Sequence, residues 1–99
     1  MADAVDDPET FWVDPQMRGV MPLEDFHVPR RLARTIKRAP FDVRIDRDFR
    51  QTIEACRRAS SDRPTSWIND DILLAYCKLH AMGYAHSVEC WYRDRLVGG

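Results

Sequence analysis

The sequence predicts an α+β fold, with helices packed on a small, mainly antiparallel sheet. Three observations predict it. Apolar residues recur at helical spacing behind capping residues in the middle of the chain. A short stretch ahead of them alternates strictly between apolar and polar. A second strand signal near the end is followed by a polar turn and an apolar return.

The elements follow in order. Residues 1–9 are polar, acidic and aperiodic, and residues 1–10 read as a tail or linker. Residues 11–26 mix aromatic residues with Pro15, Gly19 and Pro22, which suggests an extended segment with turns and a short strand near Val20. Residues 29–39 read as a helix, with Pro29 suited to its first turn and Pro40 closing it. Residues 41–45 alternate as a half-buried strand, and Asp48 is placed to cap the next helix. On that helix Phe49, Ile53 and Cys56 recur on one face. After a loop over residues 60–66, Asn69 or Asp70 caps a third helix. Its apolar stripe runs through Leu73, Tyr76 and Leu79 or His80, and Gly83 fits its C-terminal end. Residues 85–92 read as a strand, Arg93-Asp-Arg95 as a turn, and Leu96-Val97 as the start of a return strand. An apolar strand start with nothing after it leaves an open edge, so the chain is expected to be cut short.

Composition narrows the function classes. The apolar share of 44% and charged share of 31% suit a folded domain, and 99 residues bury only a thin core. The net charge of −1 provides no bulk attraction to nucleic acid, so local charge has to decide. The chain has no apolar run long enough to span a bilayer and no basic-then-apolar leader, which reads as a cytoplasmic protein. Cys56, Cys77 and Cys90 are odd in number and lack metal-ligand spacing, so each is expected to be a small buried hydrophobe. His27, His80 and His86 show no ligand spacing either, and neither a metal nor a cofactor is expected. No nucleophile elbow or glycine-rich phosphate loop is present, and no residue stands out as catalytic.

Two features point toward RNA. The first is Pro29-Arg-Arg-Leu-Ala-Arg-Thr-Ile-Lys-Arg38, which holds five cations and no acid. At about 100° per residue, Arg30, Arg31, Arg34, Lys37 and Arg38 share an arc of roughly 120°, with Leu32 and Ile36 opposite. Such a helix would dock by Leu32 and Ile36 and present a basic face. That face either meets a phosphate backbone or is a solvated surface whose counter-charges come from elsewhere, such as the acidic tail. The second feature is Trp67, at the junction of a polar loop and a helix. It either stacks on a base or anchors the core beneath the loop.

The order and spacing of several blocks resemble a known family. Phe11-Trp-Val-Asp-Pro-Gln-Met-Arg-Gly19 is similar to W-W-S-P-x-P-R, with Phe11 at the first Trp. Phe26-His-Val-Pro-Arg-Arg-Leu-Ala-Arg34 is similar to the start of a basic helix, and Thr65-Ser-Trp-Ile68 to a T-W-I block. Tyr76-Cys-Lys-Leu-His-Ala-Met-Gly-Tyr-Ala-His-Ser-Val-Glu89 is similar to Y-x-x-L-H-x-x-G-x-A-H-S-x-E, and Leu96-Val-Gly-Gly99 to the hairpin that follows. Together they resemble the leucyl/phenylalanyl-tRNA–protein transferases.

The resemblance implies that residues 11–99 are the first part of an acetyltransferase-like (GNAT-type) domain. Its N-terminal neighbour domain would precede Met1 and its acyl-transfer residues would follow Gly99. It implies an aminoacyltransferase that moves Leu, Phe or Met from aminoacyl-tRNA to proteins beginning with Arg or Lys, marking them for N-end-rule degradation. Arg30, Arg34, Lys37 and Arg38 would bind the tRNA acceptor stem and Trp67 would stack on the terminal adenosine, with Arg31 unassigned. The alternative is a non-catalytic RNA-binding fragment built on the basic helix.

Overall fold

In the computed structural model, residues 9–58 and 60–99 are described, so residues 1–8 of the expected tail lie outside them. The fold is α+β. A 3-10 turn at Leu23–Asp25 is followed by α1 (Arg30–Arg38), β1 (Asp42–Ile45), α2 (Phe49–Arg57), α3 (Asp70–Ala81), β2 (Val88–Tyr92) and β3 (Arg95–Gly98). The three strands form one antiparallel sheet in sequence order, with β2 in the centre. Ile45 faces Val88 and Asp42 faces Trp91 across the first pair.

Local chemistry explains the boundaries. Asp48 caps α2 by accepting from the Gln51 N–H at 3.0 Å, and Asn69 caps α3 through the Ile72 N–H at 2.9 Å. The Asn69 amide also donates to Thr10 Oγ1 at 2.9 Å, and Trp12 leans on Tyr76 with ring centroids 6.4 Å apart. These two contacts hold the extended N-terminal segment against α3. At the far end of α3, Gly83 adopts φ +86°, a left-handed conformation that turns the chain so that the Tyr84 N–H reaches back to the Leu79 carbonyl at 2.9 Å. β2 and β3 are joined by Arg93 and Asp94, both at positive φ, the two-residue turn whose twist suits a tight hairpin.

The apolar core is small. Ile68, Ile72 and Leu73 form its centre, with Ile53, Tyr76 and Cys77 packed around them. Phe49 and Trp91 are buried nearby, so α2 and α3 cover one face of the sheet. On the opposite face Val43, Ile45 and Val88 are exposed.

Several expectations fail, each for a local reason. No strand forms near Val20, because Pro22 lacks an N–H to pair and the chain tightens into the 3-10 turn. Helix α1 forms, but Leu32 and Ile36 do not dock and no residue of α1 is buried. Two apolar side chains on nine residues are too narrow a stripe to seat a helix carrying five cations. None of the cysteines is fully buried: Cys56 is exposed, while Cys90 and Cys77, the latter packed against the core, are half-buried. Phe49 and Thr52 in the first turn of α2 are buried, whereas Cys56 on the same face one turn later lies at the exposed end of the helix. Strand β2 starts at Val88 rather than residue 85, because hydrogen bonds to Asp46 occupy the backbone just before it.

Candidate nucleic-acid interface

The first part of the site is α1. Pro29 precedes it in extended conformation, and it ends at Ala39, whose φ of 46° is left-handed. The Ala39 N–H closes onto the carbonyls of Thr35 and Ile36, and Pro40 then prevents continuation. Arg30, Arg31, Arg34, Lys37 and Arg38 are all exposed, and none has an ion-pair partner among the described residues. Arg31, Arg34, Thr35 and Arg38 surround a shallow depression of about 250 Å³. Arg31, which the resemblance left unassigned, therefore shares this depression with Arg34 and Arg38, while Arg30 and Lys37 sit outside its lining.

The second part is built around Trp67. Its neighbours Ser66 and Ile68 are buried at 4% and 5% exposure, whereas Trp67 itself is 42% exposed. Ser66 Oγ accepts from the Ile68 N–H at 3.2 Å, which turns the chain so that the indole faces outward. The indole is thus half-exposed and forms part of a wall. That wall belongs to an open, largely apolar cleft of about 520 Å³, whose other sides include Phe49, Ile53, Tyr76, Tyr84 and His86. The volume lies in the range of small-ligand clefts. No residue of α1 lines it.

One wall of the cleft is held by a polar cluster that the spacing of the sequence did not reveal. Asp46, at φ 58° just past β1, accepts from the Ser87 N–H at 2.8 Å through Oδ1 and contacts His86 Nδ1 at 2.6 Å through Oδ2. The His86 hydrogen bond, helped by the Ser87 N–H, holds the Asp46 carboxyl below its usual range. The same bond raises the His86 imidazole above its usual value. Just beneath, the Glu89 side chain is fully buried and accepts from Ser87 Oγ at 2.6 Å, the Asp48 N–H at 3.0 Å and Trp91 Nε1 at 2.9 Å. Burial pushes this carboxyl up, but the hydrogen bonds outweigh burial and hold it below its ordinary value. The α-helical and strand signals in the sequence give no hint of either cluster, because the partners come from different elements.

Residues 20–99 match the family model described as leucyl/phenylalanyl-tRNA protein transferase. The chain belongs to this family. A leucyl/phenylalanyl-tRNA–protein transferase from Phenylobacterium zucineum (strain HLK1) is 54% identical over 99 residues, which is 100% of this chain and 45% of that relative. The chain therefore spans about half the length of the curated relative it matches. The family match covers α1, Trp67 and the Asp46–Glu89 clusters alike.

Proposed function

We propose that residues 11–99 are the first part of an acetyltransferase-like domain and supply tRNA-binding surface to an aminoacyltransferase. The enzyme moves Leu, Phe or Met from aminoacyl-tRNA to the N-terminal Arg or Lys of proteins in the cytoplasm, marking them for N-end-rule degradation. Arg30, Arg34, Lys37 and Arg38 bind phosphates of the acceptor stem, and Trp67 stacks on the terminal adenosine. The observation that carries this reading is the pairing of an unneutralised cationic helix with a half-exposed tryptophan on an apolar cleft, in a chain of this family. Among the described residues no helix is long and apolar enough to cross a membrane.

The chemistry is aminolysis of an ester. The acceptor's α-amine attacks the ester carbonyl carbon, a C–N bond forms, and the C–O bond to the terminal ribose breaks. The amine loses a proton and the departing ribose oxygen gains one. Such a reaction needs the two substrates held in line and the developing oxyanion stabilised, with no covalent enzyme intermediate. Phosphate contacts supply affinity without reading sequence, and the adenosine stack orients the ester.

A chimera supplying the rest of the Phenylobacterium relative around this chain tests the proposal. With Phe-tRNA and an Arg-initiated peptide, it is expected to form the Phe-extended peptide, and an absence of product sinks the reading. Residues 1–99 assayed alone are expected to bind tRNA without transfer. A second reading, a non-catalytic RNA-binding fragment, is favoured by one observation: α1 contributes nothing to the cleft. It predicts a chimera that binds tRNA and transfers nothing.

A further inference from the structure

The polar cluster beside the Trp67 cleft has a donor set of its own. Asp46 comes from the end of β1, His80 from the last turn of α3 and His86 from the segment entering β2. One donor atom from each lies within 4.8 Å of the other two. His86 Nδ1 is 2.6 Å from Asp46 Oδ2, and His80 Nδ1 is 3.8 Å from Asp46 Oδ1. The two imidazoles meet edge to face at 86°, so their nitrogens converge on the carboxylate from different directions.

We propose that Asp46, His80 and His86 form a three-ligand site for a divalent transition metal, with zinc the ion it fits best. Two imidazoles and one carboxylate are a borderline donor set, suited to zinc and its neighbours rather than to calcium or magnesium, which prefer all-oxygen shells. Tetrahedral ligation with bonds of about 2.0–2.2 Å places ligand atoms about 3.3 Å apart. The two imidazoles approach different oxygens of Asp46, and one donor atom from each of the three residues lies within 4.8 Å of the other two, so side-chain rotations of about an ångström bring the three donors to one ion. Three protein ligands leave a fourth position for water or another ligand.

Each ligand is already oriented by a partner outside the cluster or by backbone geometry. The His80 ring lies flat on buried Phe49, with centroids 4.2 Å apart and planes 4° from parallel. Asp46 is fixed by its left-handed backbone and by the Ser87 N–H on Oδ1. Such outer contacts are what hold metal ligands in place. No Lys or Arg pairs with Asp46 among the described residues, so imidazole and the Ser87 N–H are what its carboxylate meets. His80 Nδ1 also lies 2.8 Å from the Ala85 carbonyl, and His86 Nδ1 hydrogen-bonds Asp46 Oδ2 at 2.6 Å. Ligation through these nitrogens moves the ring protons to Nε2 and replaces those two hydrogen bonds with metal bonds. His86 also lines the cleft, which puts the ion on its rim.

The competing explanation is that the Asp46–His86 hydrogen bond is a latch and nothing more. The test needs neither tRNA nor transferase activity, so it succeeds or fails separately from the proposed function. The tag-free, metal-stripped 99-residue chain is titrated with zinc sulfate by calorimetry. Cobalt absorption spectra serve as a second readout of tetrahedral ligation. The expected result is saturation at one ion per chain, with a tetrahedral cobalt spectrum and a rise in unfolding temperature. Asp46→Asn keeps an acceptor for the Ser87 N–H and tolerates the left-handed backbone, and His86→Gln alters an exposed side chain. Each is expected to weaken zinc binding at least about tenfold while leaving the metal-free unfolding transition cooperative. His80→Gln is not relied on, because the loss of its stack on Phe49 could itself unfold the chain. Absence of saturable binding overturns the proposal. So does unchanged affinity in either variant, which would place the ion elsewhere.

Discussion

The indole N–H of Trp91 donates to Oε1 of Glu89, two residues earlier on the same inward face of β2, at 2.9 Å. Ser87 and the Asp48 N–H fill the other carboxylate oxygen, and the Arg47 guanidinium lies 4.1 Å from the Trp91 ring centre. The central strand therefore turns a polar network toward α2 and leaves Val88 outside. The donors on Glu89 come from the cap residue of α2, from β2 and from Ser87 just before it, so this carboxylate joins the helical layer to the sheet.

Glu89→Gln is expected to destabilise the fold by about 1–3 kcal/mol, because an amide NH2 would face buried donors. Urea unfolding followed by tryptophan fluorescence measures it. The pH dependence has a fixed sign. The folded value of Glu89 lies below its ordinary 4.5, so its stabilisation is present above the unfolded value and is lost as pH falls through the folded one. The wild-type chain should lose stability on acidification below about pH 4.5 more steeply than Glu89→Gln. Parallel acid profiles for the two proteins would contradict this.

Replacing Arg30, Arg34 and Lys37 together with Ala should weaken tRNA binding and flatten its salt dependence. Each lost phosphate contact lowers the magnitude of the log–log slope by about 0.7–0.9. The loss should be similar for tRNAs of different sequence, since phosphates carry no base identity. No residue of α1 is buried, so the thermal unfolding of the chain should barely change. An unchanged salt slope would remove α1 from the interface.

Trp67→Ala should cost about 1–3 kcal/mol of affinity for the terminal adenosine while the salt slope is preserved. Stability should fall little, because the ring is 42% exposed. Filter binding at several salt concentrations, alongside urea unfolding, separates the outcomes. A variant that binds normally, or one that simply unfolds, would rule out the stacking role.

The exposed sheet face and open edges should make residues 1–99 prone to self-association. Ile45 and Val88 sit directly opposite each other on that face and are 69% and 61% exposed. Replacing them as a pair, Ile45→Lys with Val88→Glu, puts opposite charges across the strands and should reduce association without loss of stability. Sedimentation velocity at rising concentration checks this. A wild-type chain that stays monomeric throughout would refute it.

Much of the fold was legible because it is set by neighbours in sequence. Asp48 and Asn69 cap the helices they precede, Gly83 ends α3, and Arg93-Asp94 turns the hairpin. What was not legible depends on which side of an element meets something else. Periodicity placed Leu32 and Ile36 on one side of α1, but it could not say that nothing would cover them. Cys56 has the right spacing for the α2 core face, yet it lies one turn beyond the buried Phe49 and Thr52 and is exposed; the Thr52 hydroxyl is satisfied in its buried position by the Asp48 carbonyl at 2.9 Å. At the candidate site, the basic face and Trp67 could be named from sequence. The gathering of Asp46, His80 and His86 could not, since the turn at Gly83 and the β1–β2 pairing create it.

The isolation of α1 links its shape to its ligand. Helices shorter than about 12–15 residues are marginal in water, and this one has nine, packs nothing away and carries five repelling cations. Its helix–coil balance must therefore respond to whatever neutralises those charges. A polyanion laid along the basic face relieves the repulsion and favours the helical form, so ordering and binding become one equilibrium. Part of the interaction energy then goes into winding the helix, and circular dichroism should record a gain in helicity as tRNA is added at low salt.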